Sequence, residues 1–519
     1  MKSNFKWIWI LLGALAGVWL LASVEGIYYY TKFVSNKDSV KVSGKIGIMG
    51  TDTSNTLARL KYWVEELATN DSLAHGTFGF CLATADSGKI ILEHNSDKSL
   101  QPASSLKIVT TGTALKIAGT GYSFPTSLQY SGSINTATRT LKGNIYIRGS
   151  GDPTLGSNNF GINTYSSILQ RWLTAIHSLG IDSINGAVVG DGEIFDYDAI
   201  PGGWAWEDVE LDYGAAPSGL SFRDNCYDIN VNIGNGAVYT SVDPFVPGMK
   251  TTSTVLYNPS IYNSYAFAAG PPFTGERILR GEVRYSGKFS APVSDPAYFC
   301  AFSLYRYLTK NGIKVSDSAT TVRKQKISGN NLKPERKTIL TTYSPSLASI
   351  VYYTNHVSHN MYAETLIKLI SVLRNSYGST LGGINAVYKY WTDKNIDLGG
   401  FYICDGSGLS RANNITAKQL TYFLVSYAND STIFKTFYNS LPVYGESVLI
   451  NGPKPEPIAK LKIHAKGGYM SRVRSLAGYL KNKKGKLLAF TMIINNHEFA
   501  WFTLVHRMEK ILKLMTELD

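Results

Sequence analysis

The chain has 519 residues, 44% of them hydrophobic and 17% charged, which excludes a disordered protein and allows two or three domains. Its formal net charge of +13 favours polyanionic or membrane-surface neighbours. Cys81, Cys226, Cys300 and Cys404 show no C-x-x-C spacing, and the histidines show neither H-x-H nor H-E-x-x-H, so no metal site is expected. The thiols read as buried and free, with one disulfide open to them in an oxidising compartment.

Residues 7–24 form an apolar run without a charge, preceded by Lys2 and Lys6. Its length lies between a long signal-peptide core and a short membrane span. Either role predicts that the remainder is exported, because the basic flank stays in the cytoplasm. No cysteine follows the run, which excludes a lipoprotein anchor. Residues 1–26 are therefore expected to be a signal or an inner-membrane anchor, and the body is expected in the periplasm.

A polar connector over 28–53 leads to helical spacing over 54–67, with Leu57, Leu60, Trp63, Val64 and Leu67 on one side. Residues 77–84 and 89–94 read as two strands around the hairpin signal Asp86-Ser87-Gly88. Pro102-Ala103-Ser104-Ser105-Leu106-Lys107 then reads as a helix start. From about residue 130 to 334 the texture is rich in Ser, Thr, Gly and Asn, with short strands between turns, and predicts an inserted β-rich region of more than one lobe. Helical spacing returns at 346–355, breaks at His356-Val357-Ser358-His359-Asn360, and resumes over 361–373 and 416–427. Strands are expected at 473–480 and 487–494, and an amphipathic helix over 501–518. Lys481, Lys483, Lys484 and Lys486, mixed with Asn482 and Gly485, read as the solvated turn between those strands rather than a nucleic-acid patch. No nucleic-acid partner is expected.

Ser104 and Lys107 are three residues apart, which on a helical turn brings an amine beside a hydroxyl. A serine needs an adjacent base to act as a nucleophile, and a desolvated lysine can be that base. The pair is followed by Ser358-x-Asn360 and then by Lys466-Gly467-Gly468 before a strand. Their order is that of serine acyl-transferases carrying S-x-x-K, S-x-N and K-T-G. The long interval between Ser104 and Ser358 itself implies an inserted domain.

The chain resembles the D-alanyl-D-alanine carboxypeptidase/endopeptidase family, peptidase family S13, the class C low-molecular-mass penicillin-binding proteins. The resemblance rests on these three motifs together with Gly151-Asp152-Pro153-Thr154-Leu155, Trp204-x-Trp206-x-Asp208, Tyr213-Gly214-Ala215, Asp405-Gly406-Ser407-Gly408-Leu409-Ser410-Arg411 and Arg474-Ser475-Leu476-Ala477-Gly478-Tyr479. It implies an α/β fold of the penicillin-binding-protein and β-lactamase type, an antiparallel sheet flanked by helices. Residues 27–129 and 335–519 would form that catalytic domain, with 130–334 inserted.

The resemblance also implies roles. Ser104 would attack a D-Ala-D-Ala-like bond of a peptidoglycan stem peptide, and β-lactams would acylate it as covalent inhibitors. Lys107 would take its proton, Ser358 would relay a proton to the leaving amine, and Asn360 would hold the substrate amide and Lys107. Lys466 would keep Lys107 neutral and attract the substrate carboxylate. Substrate-binding positions would be Asp152, Arg411, Gly468, Met470 and Ser471, and no cofactor or metal is implied. Asp152 matches a family Asp that faces a diaminopimelate amine, and it reads equally as a turn Asp before Pro. Arg411 and Met470 read equally as structural, Trp204 and Trp206 as packing aromatics, and His359 has no assigned chemistry.

One departure stands out. The family has Thr where this chain has Gly467, and a second hydroxyl residue where it has Tyr469. Residues 467, 469 and 471 share a strand face. The two hydroxyls that would bind the terminal carboxylate are absent, leaving Lys466 with Ser471 or Arg472. That loss leaves open a peptidoglycan-binding scaffold with little turnover. No residue marks a dedicated deacylating base of the kind a β-lactamase needs.

Overall fold

The computed structural model describes residues 55–330, 334–444 and 461–519. The apolar run 7–24 and the connector 28–53 lie outside them. No helix among the described residues is long and apolar enough to cross a membrane.

Five strands drawn from both chain ends form one antiparallel sheet, in the order Ile90–His94, Thr77–Thr84, Leu487–Asn495, Val473–Lys481 and His464–Met470. The middle strands are apolar on both sides because both faces are covered. Phe78, Phe80 and Leu82 join Leu476, Leu480, Phe490, Met492 and Ile494 under the helices Thr56–Ala68 and Trp501–Thr516. The other face sends Ala477, Tyr479, Ala489 and Ile493 into a larger core shared with helices Lys107–Ala118, Leu347–Val357, Asn360–Asn375 and Ala417–Ala428. Each fully buried Leu or Phe contributes about 1.5–3 kcal/mol by leaving water.

Local signals set the ends of these helices. Asn55 caps the first helix, its side chain accepting from Leu57 N at 2.9 Å. Leu60, Val64 and Leu67 are buried as expected, whereas Leu57 is exposed and Trp63 half-buried, so the apolar stripe is narrower than its spacing suggests. Thr416 and Gln419 form a capping box at the start of Ala417–Ala428. Lys107–Ala118 is buried around nearly its whole circumference. A Cβ added to Gly112 there would lie 2.2 Å from the Tyr427 ring, so glycine is what lets the two helices close up.

The region expected to be β-rich holds strands in several sheets, the short helices Trp206–Val209 and Val322–Ile327, and two long helices that its polar texture concealed. These are Tyr165–Ser178, capped by Thr164, and Pro296–Lys310, capped by Asp295. Its five-stranded sheet runs Thr320–Thr321, Val188–Asp191, Ile145–Arg148, Pro125–Tyr130 and Lys337–Tyr343. It therefore takes in two strands lying largely beyond the expected limits of 130 and 334. Those strands pair with each other, and Phe124 and Ser344 close the pair by mutual hydrogen bonds of 2.9 and 3.0 Å.

The lysine cluster is a hairpin turn. Asn482 Oδ1 accepts from Lys484 N and Lys486 N, and Gly485 has φ +78°. Lys483 and Lys486 pair with Asp519 and Asp86. All four cysteines are free.

Candidate active site

Ser104 stands in a 3-10 turn, Ala103–Leu106, and Lys107 begins the α-helix that follows. The sequence predicts Ser104 in the first α-helical turn, and the difference has a geometric effect. A 3-10 turn has three residues per turn, so residues i and i+3 eclipse and Lys107 lies directly beneath Ser104. The turn is held in an unusual shape, with Ala103 at φ +47°. Ser475 Oγ donates to Pro102 O at 2.5 Å, and Gly408 packs so closely that a Cβ there would lie 2.0 Å from Ala103 O. Ser105 is buried and its Oγ donates to Pro102 O at 2.8 Å, while Ser104 keeps some exposure. Of the two serines only Ser104 is free to meet a substrate.

The Lys107 side chain is fully buried. Its Nζ lies 3.2 Å from Ser104 Oγ, 2.6 Å from Asn360 Oδ1 and 2.7 Å from Ser407 O. Two of these neighbours are carbonyl oxygens, which only accept. When Lys107 is neutral its two N–H bonds stay on them, and its lone pair is left facing the Ser104 hydroxyl. Burial lowers the Lys107 pKa to about 7, against the opposing pull of Asp405 and Glu364. The amine can thus be neutral near pH 7, where it lies against the Ser104 hydroxyl. Asn360 is fixed in turn by its Nδ2, which donates to Tyr213 O at 3.1 Å.

Ser358 ends helix Leu347–Val357 in the left-handed conformation, φ +58°. That strained position points its hydroxyl at Lys466, whose Nζ donates to Ser358 Oγ and to Gly467 O, both at 2.9 Å. The Lys466 pKa is well below the ordinary value because of burial, with Lys107 and Arg474 adding to the shift. Gly468 brings the strand against the nucleophile turn, since a Cβ on it would lie 2.5 Å from Pro102 O and 2.9 Å from Ser104 N. The structure therefore joins Ser104, Lys107, Ser358, Asn360, Lys466 and Gly468 in one cluster.

The remaining expected positions lie around or away from it. Met470 is half-buried at the end of the same strand, and Ser471 is exposed in the turn beyond. Arg472 turns away, donating to Asn496 O at 2.9 Å and His497 O at 3.3 Å. Arg411 is exposed and acts on Asp208. Asp152 is buried, its Oδ1 accepts from Thr154 N and Oγ1, and burial raises its pKa to about 6. Its Oδ2 has no partner among the described residues, and no hydrogen bond joins it to the Lys107 cluster. His359 packs on Tyr362 with its pKa lowered to about 3 by burial. Trp204 is buried as expected, but Trp206 is 55% exposed and packs no core.

Sequence reasoning missed the supports. Glu364 accepts from Gly406 N and Ser407 N, which sets the Ser407 carbonyl on Lys107. Burial and the neighbouring Asp405 push Glu364 well up. Asp405 accepts from Gly408 N, Ser410 N, Asn413 Nδ2 and Trp204 Nε1 at 2.6–2.9 Å. The D-G-S-G-L-S-R loop is therefore a frame for the base, a role its spacing alone does not announce.

Known proteins resemble this chain over most of its length. A D-alanyl-D-alanine carboxypeptidase of Actinomadura sp. (strain R39) is 24% identical, with 85% of this chain and 82% of that protein aligned. The penicillin-sensitive carboxypeptidase A of Dictyostelium discoideum is 23% identical over 92% of this chain and 95% of that protein. The crystal structure of penicillin binding protein 4 (dacB) from Haemophilus influenzae superposes with a TM-score of 0.74 at 20% identity, covering 89% of this chain and 99% of that structure. That protein has also been solved complexed with a β-lactam, and the complex superposes with a TM-score of 0.68. The likeness shows the penicillin-binding-protein type of α/β fold. The D-Ala-D-Ala carboxypeptidase 3 (S13) family profile matches residues 60–514, a span that takes in both halves of the central sheet and every residue of the Ser104 cluster, and the chain belongs to that family.

Proposed function

We propose that this chain is a serine DD-peptidase acting on peptidoglycan stem peptides through an acyl-enzyme on Ser104. The observation that carries this reading is the coordination of Lys107, whose buried amine meets two acceptor-only carbonyls and the Ser104 hydroxyl. Ser104 Oγ adds to the penultimate D-Ala carbonyl as Lys107 takes its proton. The Ser104 N–H and an N–H of strand His464–Met470 hold the oxyanion. Ser358, held by Lys466, relays the proton taken up by Lys107 to the leaving amine as the C–N bond breaks. Water then hydrolyses the ester. Asp152, Arg411, Met470 and Ser471 line the substrate, with Asp152 Oδ2 free to accept from a stem-peptide amine.

The same chemistry serves cross-link endopeptidase cleavage, where the leaving amine belongs to a second stem peptide. The body works in the periplasm, behind a signal or anchor at 7–24, and β-lactams acylate Ser104.

The test is intact-mass analysis after incubation with a fluorescent penicillin. One adduct on the wild type and none on a folded Ser104→Ala variant is the expected result. An adduct that persists in that variant, or that maps to Ser105, overturns the assignment. Export is tested by protease treatment of spheroplasts, where protection of a cleavable body counts against it.

A further inference from the structure

Arg474 is 5% exposed, and among the described residues no carboxylate forms a salt bridge with it; its described contact is the ring of Trp501. An unpaired buried cation is costly to a fold, which points to a partner that arrives from outside. Its place on the sheet says which partner. Arg474 lies directly opposite Tyr469, and Gly467 opposite Leu476, across the pair His464–Met470 and Val473–Lys481. A Cβ on Gly467 would point at Leu476 Cδ1, 3.9 Å away, with nothing nearer. Gly467, Tyr469, Arg474 and Leu476 thus share one face, the face that helix Trp501–Thr516 covers and on which Gly467 lacks the family's hydroxyl. Diagonal neighbours on a sheet lie about 7–8 Å apart, within the reach of an arginine. Trp501 stacks at 4.2 Å from the guanidinium carbon and covers one side of it. The charge is close enough to Lys466 to help depress its pKa.

We propose that Arg474 anchors the terminal carboxylate of the substrate, taking over from the hydroxyl that Gly467 does not supply. This rests on the peptidase reading and adds to it the residue that selects a free acid. A planar guanidinium pairs with a carboxylate through two N–H bonds, which two neutral hydroxyls match only together.

The experiment uses a diacylated L-Lys-D-Ala-D-Ala peptide and its C-terminal amide. Acylation of Arg474→Gln by the free acid should fall about tenfold or more, the loss of one charge-assisted hydrogen bond. Acylation by the amide should change little, and Arg474→Lys should keep part of the acid preference. Equal losses on both peptides, or a lowered Tm with both peptides affected alike, overturn the proposal and make Arg474 structural. Binding is measured separately by calorimetry in the Ser104→Ala background. There Arg474→Gln should weaken the acid about tenfold and spare the amide. A wild type that acylates neither peptide while this binding difference stands overturns the peptidase reading alone. An absent binding difference overturns the Arg474 assignment.

Discussion

Replacing Asn360 by Asp puts a carboxylate where an amide oxygen now lies 2.6 Å from Lys107 Nζ. The shape is nearly unchanged, but the bond from Asn360 Nδ2 to Tyr213 O is lost along with the added charge, a loss the Ala variant shares. Unit charges 4 Å apart interact by about 4 kcal/mol at an effective dielectric constant of 20. Converted at about 1.36 kcal/mol per unit, that is a shift of about three pKa units on Lys107. The sign follows from which form is favoured: a negative neighbour stabilises the ammonium, so the pKa rises from about 7. In the wild type the acylation rate should climb as pH rises through about 7, because only the neutral amine accepts the Ser104 proton. In Asn360→Asp the same limb should move to higher pH by one to three units, roughly, and the rate at neutral pH should fall by about ten- to a thousandfold. Stopped-flow acylation by a fluorescent penicillin across pH 5.5–10, roughly, gives both limbs. Asn360→Ala is the control, since it removes the contact without adding charge. A variant whose rate drops with the limb unmoved would show that Asn360 acts on the substrate and not on the base, and the Lys107 argument would fail.

Two further outcomes follow from the packing around the nucleophile. Ser105→Ala should keep penicillin labelling but lose about 1–2 kcal/mol of stability, because Ser105 Oγ bonds to Pro102 O and Ser475 Oγ inside the core; chemical denaturation and labelling gels read the two separately, and lost labelling in a folded protein would point to Ser105 as a reacting group. Gly408→Ala should cost more than about 2 kcal/mol and slow acylation, since its Cβ would meet Ala103 O at 2.0 Å on a backbone with φ +84°; a normal Tm would show that the loop yields.

The cluster was legible where its logic is local. Ser104 and Lys107 are three residues apart, and the break at His356-Val357-Ser358-His359-Asn360 interrupts a helical pattern, so the order of the motifs together pointed to both. The sheet was legible because its strands are short apolar runs bounded by turn residues at 86–88 and 482–485. What was hidden depends on groups without a sequence signature. The carbonyls of Ser407 and Tyr213 position Lys107 and Asn360, and every residue has a carbonyl. Glu364 sits in a helix that reads as ordinary, and only its burial shows that it frames a loop rather than facing water. The two long helices of the inserted region were masked by the turn-rich segments around them, although Asp295 before Pro296 and the Ile168, Leu169, Trp172, Leu173, Ile176 stripe are readable signals. Arg474 was quoted in a motif, but the face it shares with Gly467 appears only once the strand register is known.

That shared face gives the departure at Gly467 a testable meaning. A threonine at this position has room, since its Cβ would meet nothing nearer than 3.9 Å. Its hydroxyl could donate to a terminal carboxylate, a charge-assisted bond worth about 1.5–3 kcal/mol. If the bond strengthens as the carbonyl is attacked, Gly467→Thr should raise D-Ala release from a pentapeptide by about tenfold or more. Cleavage of a cross-linked dimer should change less, because a longer substrate draws affinity from more contacts. The cycle with Arg474 separates two explanations. Groups that bind one carboxylate couple, so the effects of Gly467→Thr and Arg474→Gln should not add. Gly467→Thr should recover more activity on the free acid in the Arg474→Gln background than it gains in the wild type. Additive effects would mean that the two positions serve different parts of the substrate. A Thr variant with equal or lower D-Ala release, beside an Arg474→Gln variant that loses it, would mean that the site is already built around the guanidinium and that the hydroxyl competes with it.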